Sequence, residues 1–149
     1  KIISSTEVMR LISNELNYNP DDEAAERWEE HVNDHNWVDD TIQEVTAYVL
    51  IDSEMVKAPS GSVKTMALYV QVVCHKQYMK LDSDMFPGVK GNRRDNICRE
   101  IDLLLNDSQD FGIGRLELTS ATLANAPEGF TSRVLTYQVP DFAKERSKL

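Results

Sequence analysis

The sequence predicts an α+β domain: a mostly antiparallel four-stranded sheet with helices on one face, in the order helix, two strands, helix, two strands. Three observations carry that reading. Apolar residues recur at helical spacing in two windows, near residues 6–16 and 92–106. Between and after them the pattern changes to strand-like alternation or a short apolar run. Turn-forming residues separate the segments, as in KAPSGS and MFPGVKGN. At 149 residues the chain fits one domain, residues 1–149, with 41% hydrophobic and 28% charged residues to build a core and a surface.

The first helix is expected from Thr6 to Leu16, with Val8, Leu11, Ile12 and Leu16 on one face, Ser5 as N-cap and Asn17 to Pro20 as the stop. DDEAAERWEEHV follows, rich in helix formers with acidic residues in its first turn. Its apolar face is small, so a short exposed helix or turn anchored by Trp28 is expected. Val45, Ala47, Val49 and Ile51 then alternate with Thr46, Tyr48, Leu50 and Asp52, which makes a strand. Pro59 and Gly61 supply a turn, and KTMALYVQVVCH from Lys64 to His75 reads as a long buried strand returning antiparallel. Lys76 to Gly91 reads as a loop.

The second long helix begins at Asn92, a capping residue with Asp95 three positions on, in a shortened form of the capping box. Ile97, Ile101, Leu104 and Leu105 form its apolar face, with Cys98 flanking it, and Asn106 to Ser108 end it. FGIGRLELTSAT gives a strand, Ala126 to Gly129 a turn, and RVLTYQV a last strand before Pro140 and a charged tail, residues 143–149.

Few residues form a recognisable chemical constellation. The FGIGR glycines follow a helix and precede a strand, whereas a dinucleotide loop follows a strand and opens a helix, so the glycines read as structural. No Walker, GxSxG or HExxH sequence occurs. His31 and His35 are four apart near Asp34, Asp39 and Asp40, but those aspartates fall where the helix breaks; no metal site is expected. His75 follows Cys74 directly, and neighbours on a strand point to opposite faces, so the two make no nucleophilic pair. Cys98 could approach His75 in space, but no orienting third group stands out. Cys74 and Cys98 have no CxxC spacing and read as buried thiols.

Arg93 and Arg94 require a compensating partner. They sit in the first turn of a helix, whose positive dipole end disfavours a cation by about 0.3–1 kcal/mol. An ion pair within or between subunits, plain solvation, and a phosphate-like anion held at the helix N-terminus are the three solutions. Carboxylates are plentiful: from Asp21 to Glu54 twelve acidic residues face the single Arg27, within a net charge of -9. The densest part, residues 21–40, forms an acidic segment. That balance argues against duplex DNA binding, which needs clustered positive charge. No apolar run reaches membrane-spanning length, and KIISSTEVMR has no signal-peptide pattern.

The long strand ending in VQVVCHKQYMK, the entry GNRRDNICREIDLLLN and the strand IGRLELTSAT together resemble the tail-terminator, tail-completion and tail-to-head joining proteins of tailed bacteriophages. The resemblance covers roughly Ser5 to Phe142. It implies a structural subunit rather than an enzyme, without cofactor, assembled in the host cytoplasm and resident in the virion tail or neck. Such subunits form a homo-oligomeric ring, commonly a hexamer, that meets connector and tail-tube proteins while genome DNA passes through the lumen. The acidic segment and the MFPGVKG loop are departures from that pattern. A ring needs two different complementary patches. Arg93, Arg94, Arg99 and Asp95 on one side, with Asp39 and Asp40 on the other, are the expected interface residues. The alternative is a small enzyme or ligand-binding domain that uses Arg93 and Arg94 for an anionic ligand.

Overall fold

A computed structural model describes residues 2, 5–15, 17–33, 44–57, 64–109 and 115–139. Their order is α1 (Thr6–Ser13), α2 (Ala25–Glu29), β1 (Val32–Asn33), β2 (Ala47–Lys57), β3 (Lys64–His75), a 3-10 turn at Lys76–Tyr78, α3 (Arg93–Leu105), β4 (Glu117–Ala124) and β5 (Phe130–Val139). The fold is α+β as expected, with one correction: among the described residues the sheet has five strands and is mixed, in the order β1-β2-β3-β5-β4. The added strand, β1, pairs parallel to β2 through Val32↔Val49 and Asn33↔Leu50, and the Val49 amide donates to the His31 carbonyl at 2.8 Å. Two residues are too few to show a period of two, which is why the sequence pattern did not disclose it.

The other pairings are antiparallel. β2 and β3 run in register from Ala47↔Cys74 to Lys57↔Lys64, and β5 lies on the other side of β3 from Met66↔Val139 to His75↔Phe130. β4 closes that side, with a register shift between Leu118 and Ser120. Strand alternation sends Ala47 and Val49, Val70, Val72 and Cys74, and Leu135, Tyr137 and Val139 to one face of the sheet. These residues share one core with Val8, Met9 and Ile12 of α1, Ala25 of α2, and Ile97, Ile101 and Leu105 of α3. The opposite face gathers a smaller cluster at one end, Tyr48, Leu50, Val73 and Phe130.

Capping explains where the long helices start and stop. The Ser5 hydroxyl accepts from the Val8 amide at 3.4 Å. α1 stops at Ser13, a turn earlier than the apolar spacing suggests, because Asn14 takes the left-handed conformation at φ 60°. At α3 the Asn92 side chain accepts from the Asp95 amide at 2.8 Å, and its amide group donates back to the Asp95 carboxylate at 3.0 Å. At the other end Asn106 accepts from the Leu118 amide at 3.0 Å and the Asp107 amide donates to the Leu116 carbonyl at 2.8 Å. The helix exit is thereby tied to the entry of β4. Residues 58–62 of the KAPSGS turn, the FGIG glycines, Leu16, Asp34, His35, Asp39, Asp40 and the charged tail lie outside the described residues.

Candidate interface around the third helix

Arg93 is only 2% exposed. Its Nε donates to the Tyr78 carbonyl at 2.8 Å, one terminal nitrogen to the Leu11 carbonyl at 2.5 Å and the other to Asn14 Oδ1 at 2.9 Å. The guanidinium plane lies 3.9 Å from the centre of the Tyr78 ring. Leu11 and Asn14 belong to the C-terminal end of α1, where unpaired carbonyls and the negative dipole end favour a cation. Arg93 is therefore compensated by a second helix, with no ion pair to it among the described residues, and it lies buried within the subunit rather than on its surface. A guanidinium that reaches three acceptors in one plane can be buried; an exposed surface role would leave those carbonyls unpaired. Burial pulls the Arg93 pKa down, while the neighbouring Tyr78 and Cys74 groups push it back up.

Arg94 is 8% exposed and turns the other way, over the sheet. Its Nε donates to Asp95 Oδ1 at 3.0 Å and a terminal nitrogen donates to the Thr131 hydroxyl of β5. Arg133 of β5 donates to the same Asp95 oxygen at 3.2 Å. One carboxylate thus gathers two guanidiniums and the Asn92 amide. Burial raises the Asp95 pKa, but the hydrogen bonds from Arg94 and Asn92 and the charges of Arg94 and Arg133 outweigh it and leave the carboxyl below its ordinary value. Arg99, one turn further on, is more than half exposed and lies 3.6 Å from Glu100. The structure places Asp95 and Arg99 on the groove side of α3, buries Arg94 against Asp95 and Thr131, and sends Arg93 to the interior.

Arg133 was absent from the sequence expectations. Its signal is its phase: it stands two and four residues before Leu135 and Tyr137 and so shares their core-facing side of β5, where a charged residue needs a partner. Tyr137 gives the same lesson. It is fully buried and its hydroxyl donates to Asp102 Oδ1 at 2.9 Å, so that burial and the Asp102 carboxylate both raise its pKa.

A groove of about 320 Å³ runs between α3 and the edge of the sheet, lined by Asp95, Arg99 and Asp102 on the helix side and Leu118, Ala121 and Arg133 on the strand side. Two large apolar side chains border this region of the fold and stand out in solvent: Leu103 of α3 at 72% and Leu123 of β4 at 69% exposure. Leu103 points away from the helical face that Ile97, Ile101 and Leu105 bury. Leu123 pairs with Arg133 in the register and so lies on the helix-covered face of the sheet, beyond the reach of α3.

The remaining chemical candidates are absorbed by packing. His31 is buried, with Nδ1 3.0 Å from both the Ala47 carbonyl and the Thr46 hydroxyl, and its ring stacks on Tyr48 at 4.7 Å. Among the described residues, no group of three or more His, Cys, Asp or Glu side chains is placed to hold a metal ion. His75 caps the 3-10 turn, its Nδ1 accepting from the Gln77 amide at 3.1 Å, and meets Phe130 edge-on. Cys74 and Cys98 are buried on the helix-covered face, whereas His75 lies on the other face, so the sheet separates Cys98 from His75. Burial pushes both thiols up to about 12. No helix among the described residues is long and apolar enough to cross a membrane.

No curated protein matches the chain. The sequence profile of the YomW family, a family name of phage derivation, matches residues 5–139, which takes in every element from α1 to β5. The chain belongs to the YomW family.

Proposed function

We propose that this protein is a structural component of a phage virion that assembles into a ring, a hexamer by resemblance, at the head-tail junction, where it ends the tail tube and joins it to the connector. The observation that supports this reading best is what the surface offers once the interior is accounted for. Arg93 and Arg94, the residues an anion site would need, spend their donors on carbonyls, a carboxylate and a hydroxyl of their own chain. Among the side chains facing out around α3 are the apolar Leu103 and Leu123, with Arg99 beside Glu100 and the partly exposed Asp95, a mixture of apolar and charged groups suited to meeting protein. Family membership adds a phage connection to that surface.

The test is the native mass of the purified chain by light scattering across a range of concentrations. A discrete closed oligomer is the expected result. A chain that stays monomeric at high concentration and binds a phosphorylated small molecule through Arg94 would support the ligand-binding alternative instead.

A further inference from the structure

Resting on the ring reading, we infer that the subunits join head to tail through the two edges of the sheet, β4 of one copy adding to the outer edge of β2 in the next. The topology supplies both edges. β4 ends one side of the sheet, and among the described residues no strand pairs with its outer edge. On the other side β1 covers only Val49 and Leu50, so the outer edge of β2 from Ile51 to Lys57 has no strand partner among the described residues. The two stretches match in length, eight residues in β4 and seven beyond Leu50 in β2.

Directions fit as well. β2 and β5 run one way, β3 and β4 the other. A copy placed beside β4 in the same orientation therefore presents its β2 antiparallel to β4, the favoured pairing, and keeps the helices of both copies on one side. The contact is heterologous, using two different patches per copy, which is what a ring requires and a two-fold dimer does not.

The composition of β4 points the same way. Strands that remain at an edge in solution are commonly guarded by Lys, Pro, inward charges or bulges. Thr119 to Ala124, TSATLA, carries no charge and no proline, and the register shift is confined to the start of the strand. Leu123 is exposed beside that edge, and Leu103 projects from α3. A neighbour added at β4 would cover both the open backbone and apolar surface near it.

Edge-blocking variants test the arrangement. Ala121→Lys with Leu123→Lys blocks the β4 edge; Asp52→Lys with Ser53→Lys blocks the β2 edge. All four residues are exposed, and circular dichroism with thermal unfolding checks that each variant folds; single substitutions at Leu123 and Ser53 serve if a double variant does not. The expected result is that each variant alone falls from the oligomer to the monomer, with association weakened at least tenfold. An equimolar mixture should then give a dimer and nothing larger, because one intact edge of each kind remains. A β2-blocked variant that still dimerises by itself would overturn the head-to-tail arrangement in favour of symmetric β4–β4 pairing. Rings that form from every variant as from the native chain would overturn the edge assignment and leave the ring reading standing. A native chain that is monomeric throughout would overturn both.

Discussion

Arg93 shows how far one side chain can bind elements together. It opens α3, stacks on Tyr78 and closes the C-terminal end of α1, so it fixes the position of two helices on the sheet. Lysine in its place would keep the charge and lose the planar fork, leaving two of three acceptors unmatched. Arg93→Lys is expected to destabilise the fold by about 2–3 kcal/mol in urea denaturation, whatever the oligomeric state. Arg93→Glu is expected to prevent folding, so it reports on stability and not on an interface. The two thiols are a second case at this scale. A thiol raised to about 12 and shielded by packing presents almost no thiolate at neutral pH. Reaction of Cys74 and Cys98 with a chromogenic disulfide reagent should be slow in the native protein and immediate in denaturant. Fast labelling of the folded chain would contradict their burial.

The joint between α3 and β5 is held by Asp95, and its strength should depend on pH. The folded-state pKa lies below the unfolded value, so the stabilisation is complete above the ordinary aspartate range and is lost as pH falls through the lowered value. Asp95→Asn should flatten the acid side of the stability profile and cost about 0.5–1 kcal/mol at neutral pH, a modest figure because the carboxylate is 43% exposed. An unchanged acid limb would show that Arg94 and Arg133 find other partners. Most elements were legible because their signals are local. β3 and α3 have the limits that apolar run and cap residue indicate, Lys64–His75 and Arg93–Leu105. What was not legible depends on long-range partners. The dipole of α3 shows that Arg93 needs compensation, but nothing near it in sequence names Leu11, 82 positions away, as the acceptor. β1 is two residues long and exists through its neighbour β2. Of the residues singled out in the sequence, Asp95 and Arg99 line the groove beside α3 and Arg94 is buried against Asp95 and Thr131, while Arg133 enters only through strand register.

At the scale of the molecule, the sheet has one covered face and two edges of different composition. The acidic residues of the α2 region, Asp21, Asp22, Glu23, Glu26, Glu29 and Glu30, belong to the segment that leads into β1 and thus to the β2 side of the sheet. Arg99 and Arg115 belong to the α3 and β4 side, each beside an acid of its own, Glu100 and Asp107. The central claim is that the chain forms a ring at the head-tail junction. A density map of the intact phage particle tests it most directly: the account predicts a closed ring of this chain between connector and tail tube, with β4 of each copy beside β2 of the next. A particle in which the chain is missing from the junction would contradict it.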